Sequence, residues 1–232
     1  MDETLEHVNG EGAERLHPSL MNPSWLILTQ RRKLFSAWLP QLPSGNWDVL
    51  DIGGRIQPYR PLLNGRLRTY LAVDMRSSPL VQVIARAEQL PLRSNQFDLV
   101  ICTQVLEYVP ESRAAIAEIY RVLKPGGALL LSMPSIFPPD SEQDLWRFTP
   151  ASIRLLLSCF REVEIEPEGS SIYGLFRTIA LWVAYFARPR LLARALRIIL
   201  IPLLNMTAVL LAFLFPTTNH QFAANFSAFA RK

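Results

Sequence analysis

Acidic residues run out at Glu168. All 20 of them lie at or before that position, alongside 17 basic residues, whereas the 64 residues that follow carry seven Lys or Arg and no acid. The basic character of the chain therefore belongs to its C-terminal part, which is also strongly apolar; that combination suits a membrane surface before nucleic acid. Cysteine is equally scarce. Cys102 and Cys159 make no disulfide framework, and both sit in apolar runs, so they read as buried free thiols of a reducing compartment. The three histidines (His7, His17, His220) and the two cysteines have no zinc-ligand spacing, and no metal site is expected. A G-x-S-x-G elbow is absent, which speaks against an α/β hydrolase. The first 14 residues hold five acids, no Lys or Arg and no apolar core, so no secretory signal is expected and the chain should stay in the cytoplasm.

What is present is an alternation of apolar strands and amphipathic helices. Residues 1–23 are polar and punctuated by Gly and Pro, and are expected to form a flexible leader. Trp25 to Leu39 gives a helical stripe stopped by Pro40 and Pro43. Strands are predicted over 47–52, 69–74, 81–84, 97–102, 128–133 and 163–166, with a seventh over 224–230. Helices are predicted over 112–123, ended by Lys124-Pro125-Gly126-Gly127, and over 150–160. The strand at 97–102 is almost wholly apolar, as expected where both faces of a parallel sheet are covered. The pattern predicts an α/β fold with an open sheet between helices, whose ligands bind beyond the carboxyl ends of the strands.

The chemistry-bearing residues fall at those ends. Asp51 closes the first strand, and Gly53-Gly54 let the backbone turn sharply and come close to a ligand. Asp74, 23 residues later, ends the second strand, where a carboxylate can accept from both hydroxyls of a ribose. A nicotinamide-binding turn would need G-x-G-x-x-G, and Gly53-Gly54-Arg55-Ile56-Gln57-Pro58 lacks it.

The segments Val49-Leu50-Asp51-Ile52-Gly53-Gly54, Leu71-Ala72-Val73-Asp74, Ala87-Glu88-Gln89-Leu90-Pro91-Leu92, Phe97-Asp98-Leu99-Val100, Val105-Leu106-Glu107-Tyr108-Val109 and Glu118 through Gly127 occur in one order. In that order and spacing the chain resembles the class I S-adenosylmethionine-dependent methyltransferases of the type 11 group, over residues 47–133. The resemblance implies a three-layer, Rossmann-like, seven-stranded, mostly parallel sheet with an antiparallel last strand. It implies S-adenosyl-L-methionine as cofactor. Asp51, Gly53 and Gly54 would face its amino acid part, Asp74 its ribose and Met75 its adenine. Ala87 and Glu88 would line the adenine edge, and Thr103 and Gln104 would lie under the methionine portion. Two positions depart from the family pattern: Arg55 stands where a second glycine is usual, and Arg86 where an Asp often precedes the Ala-Glu pair.

Methyl transfer from a sulfonium is an in-line displacement in which the protein mostly aligns the partners; a base is needed only if the nucleophile must shed a proton near neutral pH. Candidates for such a role are Asp144, Tyr108 and Tyr59. Asp144 belongs to Asp144-Leu145-Trp146-Arg147-Phe148-Thr149-Pro150, whose simpler reading is an Asp–Arg-closed lid followed by an N-capped helix.

The chain thus divides into a leader (1–23), a methyltransferase domain (24–170 with 221–232) and an apolar, basic helical insert (171–220). Ile198 to Pro216 gives 19 residues without formal charge, about 28 Å at helical rise. The last strand must return to the sheet, so the insert has to enter and leave on one side. A monotopic element lying in the headgroup region is the economical solution, although the same face could cover a homodimer contact. The expected function is methylation of a small, hydrophobic or lipid-linked acceptor by a cytoplasmic, membrane-associated enzyme that does not act on nucleic acid. The alternative is a non-catalytic methyltransferase-like scaffold or assembly factor, motivated by Arg55 and Arg86.

Overall fold

The computed structural model describes residues 4–186, 191–216 and 219–232, side chains of 186 and 191–197 excepted. Seven strands form one sheet: β1 (Trp47–Ile52), β2 (Leu67–Asp74), β3 (Val83–Ile84), β4 (Phe97–Thr103), β5 (Leu123–Pro134), β6 (Glu162–Pro167) and β7 (Asn225–Arg231). Their order across the sheet is β3-β2-β1-β4-β5-β7-β6. The first five run parallel, and β7 lies antiparallel between β5 and β6, with Leu130 opposite Phe229 and Ile165 opposite Ala228. Strand order reverses between β1 and β4, so the crevice for a ligand opens at the carboxyl ends of those strands. Val49, Leu50, Leu99 and Val100 have no solvent exposure, consistent with a sheet covered on both faces.

Six helices cover the sheet or extend from it: α1 (Leu5–Leu16), α2 (Trp25–Trp38), α3 (Ser112–Val122), α4 (Pro150–Leu156), α5 (Ser171–Phe186) and α6 (Leu191–Leu214). On one face α3 buries Ala115, Ile116 and Ile119 in a cluster with Leu50, Val100 and Leu129. On the other, Phe35 and Trp38 of α2 pack with Val49, Leu99, Leu130 and Phe229. Helix α4 is shorter than its apolar pattern predicts. Thr149 and Ser152 close a reciprocal capping box at its start, and the helix ends at Leu156.

The segment expected as a flexible leader contains a 12-residue helix, α1. Thr4 caps it by accepting from the His7 amide, and Val8, Gly12 and Leu16 are buried. A polar sequence with three apolar contacts at helical spacing carries little periodic signal. What holds the helix is the surface it lies on, which is tertiary information. Cys102 is buried and free as expected, whereas Cys159 is exposed, in the turn that follows α4.

The insert is α5 and α6, packed against each other as a helical hairpin between β6 and β7. Gly174, Arg177 and Ala180 of α5, and Ile201, Asn205 and Ala208 of α6, form its buried stripes. Asn205 donates to the carbonyls of Leu20 and Asn22, fastening α6 to the α1–α2 connection.

Candidate active site

At the tip of β1 the chain makes the turn its two glycines permit. Gly53 has φ +77°, and a Cβ there would lie 2.3 Å from Val105 Cγ2; one on Gly54 would meet Ala72 Cβ and the Asp51 carbonyl at 2.8 Å. Both glycine amides donate to the Val73 carbonyl, so the loop is tied to β2 and is held tight against the strand ends. Asp51 is buried, accepts the Tyr70 hydroxyl at 2.6 Å through Oδ2, and receives no hydrogen bond at Oδ1 among the described residues. Burial pushes its carboxyl up to about 7; the Tyr70 hydrogen bond opposes this and the charge of Asp74 adds to it. Asp74, half-buried at the tip of β2, accepts the Arg76 amide through Oδ1 and leaves Oδ2 open. Two carboxylates with open oxygens therefore flank a tight glycine turn, and their charge favours a cationic ligand.

The remaining cofactor-side positions surround this turn. Met75 is 64% exposed beside Asp74, and Ala87 is buried. Arg86 Nη2 reaches Glu88 Oε1 at 2.9 Å, so the guanidinium in the family's acidic position is held by the next acid along the loop. Arg55 is turned toward α1, where its Nη2 meets Glu11 Oε2 at 2.8 Å. Helix α1 thus supplies the partner that draws this side chain to the outer side of the turn. Thr103 ends β4 and Gln104 follows it; Gln104 has φ +54°, and its amide group contacts Ser132 at 3.2 Å and Asn225.

On the acceptor side, the candidates for chemistry are placed differently. Asp144 is held by two Arg147 nitrogens, and this guanidinium keeps its carboxyl below the usual range. Leu145 and Trp146 amides donate to the Glu107 carbonyl, so the loop after β5 is closed over the loop after β4. Tyr108 is partly exposed and donates to Asp140 at 2.7 Å. Tyr59 is buried against Phe35 and accepts from Arg31 Nη1 at 3.4 Å. Glu107 is buried with an unpartnered Oε2, and burial pushes its carboxyl up to about 8.

A buried polar cluster was not singled out from the sequence. Arg31 of α2 makes two hydrogen bonds to Glu168, through Nε at 2.8 Å and Nη2 at 2.9 Å, and both side chains are excluded from solvent. Glu168 also accepts the Ser132 hydroxyl of β5 and the Ser227 hydroxyl of β7. The Asn225 amide is satisfied with its oxygen toward Arg31 Nη2 (2.8 Å) and Gln104 Nε2 (3.0 Å) and its nitrogen on the Ala224 carbonyl (2.8 Å). One signal was available: Arg177 is an isolated charge inside an apolar run, and Glu168, the last acid of the sequence, stands at its border.

This topology, with β7 antiparallel between β5 and β6, is that of the Rossmann-like class I methyltransferase fold. Residues 50–131 match the family model described as "Methyltransferase domain". Over 134 residues the chain is 32% identical to the ubiquinone/menaquinone biosynthesis C-methyltransferase UbiE of Bartonella quintana, covering 48% of this chain and 52% of that protein. It is 36% identical over 104 residues to a ubiquinone biosynthesis O-methyltransferase of Pseudomonas putida, covering 36% and 43%. The chain thus spans about half the length of the curated relatives it matches. Among solved structures, a SAM-dependent methyltransferase from Archaeoglobus fulgidus superposes with a TM-score of 0.55 at 14% identity, covering 94% of this chain and 97% of that one, a likeness of fold.

Proposed function

We propose that the protein transfers a methyl group from S-adenosylmethionine to a small hydrophobic or lipid-linked acceptor at a membrane surface. The observation that carries this reading is the pair of open carboxylate oxygens, Asp51 Oδ1 and Asp74 Oδ2, on either side of the Gly53 turn. The donor set fits the cofactor. Asp51 suits an ammonium, Asp74 a ribose diol, and Gly53, at φ +77° with Val105 against its α-carbon, holds the turn close to the strand ends. When bound, the cofactor would supply a sulfonium-activated methyl group. The protein's own part is to orient it through these carboxylates and to close the acceptor side with the Asp144–Arg147 loop, excluding water.

Attachment to a membrane is supported by the outer stripes of the insert. Leu175, Ile179 and Trp182 on α5, and Ile199, Leu203, Met206, Leu210 and Phe213 on α6, are exposed at helical spacing, Phe213 by 81%. A contiguous apolar face of this kind fits an interfacial element. Among the described residues no helix is long and apolar enough to cross a membrane. The acceptor class is supported by this face together with the quinone-pathway names of the two curated relatives.

Calorimetry with S-adenosylhomocysteine tests the enzymatic reading. Binding to the full chain that is lost in Asp74→Ala is expected; no binding at millimolar ligand would favour the non-catalytic scaffold. Sedimentation with phosphatidylglycerol vesicles tests attachment. The double variant Trp182→Asp, Phe213→Asp should remain in the supernatant while the parent chain pellets, and equal distributions would remove the membrane from the reading.

A further inference from the structure

Three guanidinium groups lie at the acceptor end of the sheet, and their neutralisation is uneven. Arg31 has Glu168, and Arg147 has Asp144. Among the described residues Arg177, 5% exposed on the buried stripe of α5, makes no ion pair with a carboxylate. Its Nε lies 3.4 Å from Ser24 Oγ and its Nη1 3.5 Å from the Ile136 carbonyl, both at the limit of hydrogen bonding. Nη1 also lies 3.4 Å from the Asn225 amide, but that amide satisfies its other neighbours by turning its nitrogen this way. Nη2 makes no hydrogen bond among the described residues, and the guanidinium lies over the Phe137 ring, 4.6 Å from Cζ to its centroid. Burial pushes the group down to about 9; the charges of Arg31 and Arg147 lower it further, and that of Glu168 opposes them. An unpaired buried charge is costly, commonly by several kcal/mol. The sequence nonetheless places an arginine in the middle of an apolar helix.

Its position is informative. Ile136 and Phe137 belong to the loop after β5, Ser24 precedes α2, and Asn225 opens β7, so Arg177 sits beyond the carboxyl ends of the parallel strands. The Asn225 amide touches Gln104 on its other side, and Gln104 is a residue expected beneath the cofactor's methionine. One side chain therefore separates Arg177 from the reacting end of the cofactor site.

We propose that Arg177 is a specificity-determining residue that recognises an anionic oxygen, a carboxylate or a phosphate, carried by the methyl acceptor. This rests on the methyl-transfer reading above and narrows its acceptor to an amphiphile with an acidic group. The anion is an orienting handle and is not itself the atom methylated. A guanidinium bound to the attacking oxygen would stabilise charge that is lost on the way to the transition state, and so would slow the step. The handle keeps its charge throughout. Helix α5 would then serve two ends at once, with Leu175, Ile179 and Trp182 exposed on its outer face and Arg177 buried against the loop after β5.

The test uses the full chain saturated with S-adenosylhomocysteine, titrated calorimetrically with octanoate, octyl phosphate and octanol. The parent protein should bind at least one of the two anions more tightly than octanol. Arg177→Met should weaken that anion tenfold or more and leave octanol unchanged, a split that a purely structural role would not produce. Arg177→Lys, which keeps the charge but loses the fork, should fall between; should the Met variant not fold, the Lys variant carries the comparison, with a loss of about threefold or more. Anion affinities equal to octanol, or unchanged in the variants, would overturn the proposal. Sedimentation with phosphatidylglycerol vesicles should be the same for parent and variant; a loss there with octanoate and octyl phosphate affinity intact would assign the guanidinium to a lipid headgroup instead. Affinity for S-adenosylhomocysteine, measured in the same samples, should differ less than twofold between parent and variant. Its absence from the parent would defeat the methyl-transfer reading, while the anion titrations, repeated without cofactor, would still decide the role of Arg177.

Discussion

The Tyr70 hydroxyl donates to Asp51 across 2.6 Å, and this bond is all that offsets the burial of the carboxyl at the β1 tip among the described residues. With its pKa raised to about 7, Asp51 is half protonated near neutrality. A cationic ligand favours the ionised form, so affinity for S-adenosylmethionine should fall as pH drops from 8 to 6, toward tenfold per unit below 7. Titration calorimetry across that range checks this, and Asp51→Asn should bind weakly without the pH dependence.

The same shift has a stability consequence of opposite sign. The folded pKa lies above the unfolded one, so Asp51 favours the native state below its unfolded pKa and loses that contribution as pH rises through about 7. Asp51→Asn should therefore be more stable than the parent at pH 8, by about 1–3 kcal/mol, with the gain vanishing near pH 4. Urea unfolding at the two pH values measures it.

Gly53 offers a steric test. An Ala there would carry its Cβ into Val105 Cγ2 and would hold φ at +77° with a side chain, costing about 1–3 kcal/mol. The turn should shift, and S-adenosylhomocysteine binding should drop at least tenfold while circular dichroism stays native. Unchanged affinity would mean that the turn does not contact the ligand.

Arg55 should matter little to the cofactor. Its guanidinium is engaged by Glu11 on α1, with side chains 23% and 40% exposed, so the pair contributes at most about 1 kcal/mol. Arg55→Ala should leave S-adenosylhomocysteine affinity within threefold and lower the melting temperature slightly. A large loss of affinity would show that the arginine reaches the ligand.

Breaking the Arg31–Glu168 pair should be far more damaging. Each group is fully buried, so Glu168→Gln or Arg31→Met strands a charge and should cost about 3–5 kcal/mol. The double variant should cost less than the sum of the two single ones, which denaturant unfolding of all four proteins would show.

The sheet was legible because most of its strands are short apolar or alternating runs, and each of the seven predicted strands is present; β5 starts five residues before its predicted position and takes in Lys124-Pro125-Gly126-Gly127, which was expected to be a turn. Asp51, Gly53 and Asp74 were equally legible, since their spacing follows from the strand–turn–helix rhythm itself. Helix α1 was not, because its sequence is polar and only the surface beneath it supplies three buried contacts. Arg31, Glu168, Ser132, Ser227 and Asn225 lie on four separate segments, and no local pattern links residues up to 194 positions apart.

By itself, then, the amino-acid order determined the alternation of strands and helices, the acidic tips around a glycine turn, and the concentration of positive charge in an apolar insert. These are local properties, set by periodicity and by which residues tolerate a sharp turn. Tertiary structure alone decided which charges are neutralised. Arg55 is drawn to Glu11 and Arg31 to Glu168, and among the described residues Arg177 is left without an ion pair. Ion pairing depends on distance in space and on exclusion of water, and both are fixed only when the α1 and α5 helices close on the sheet.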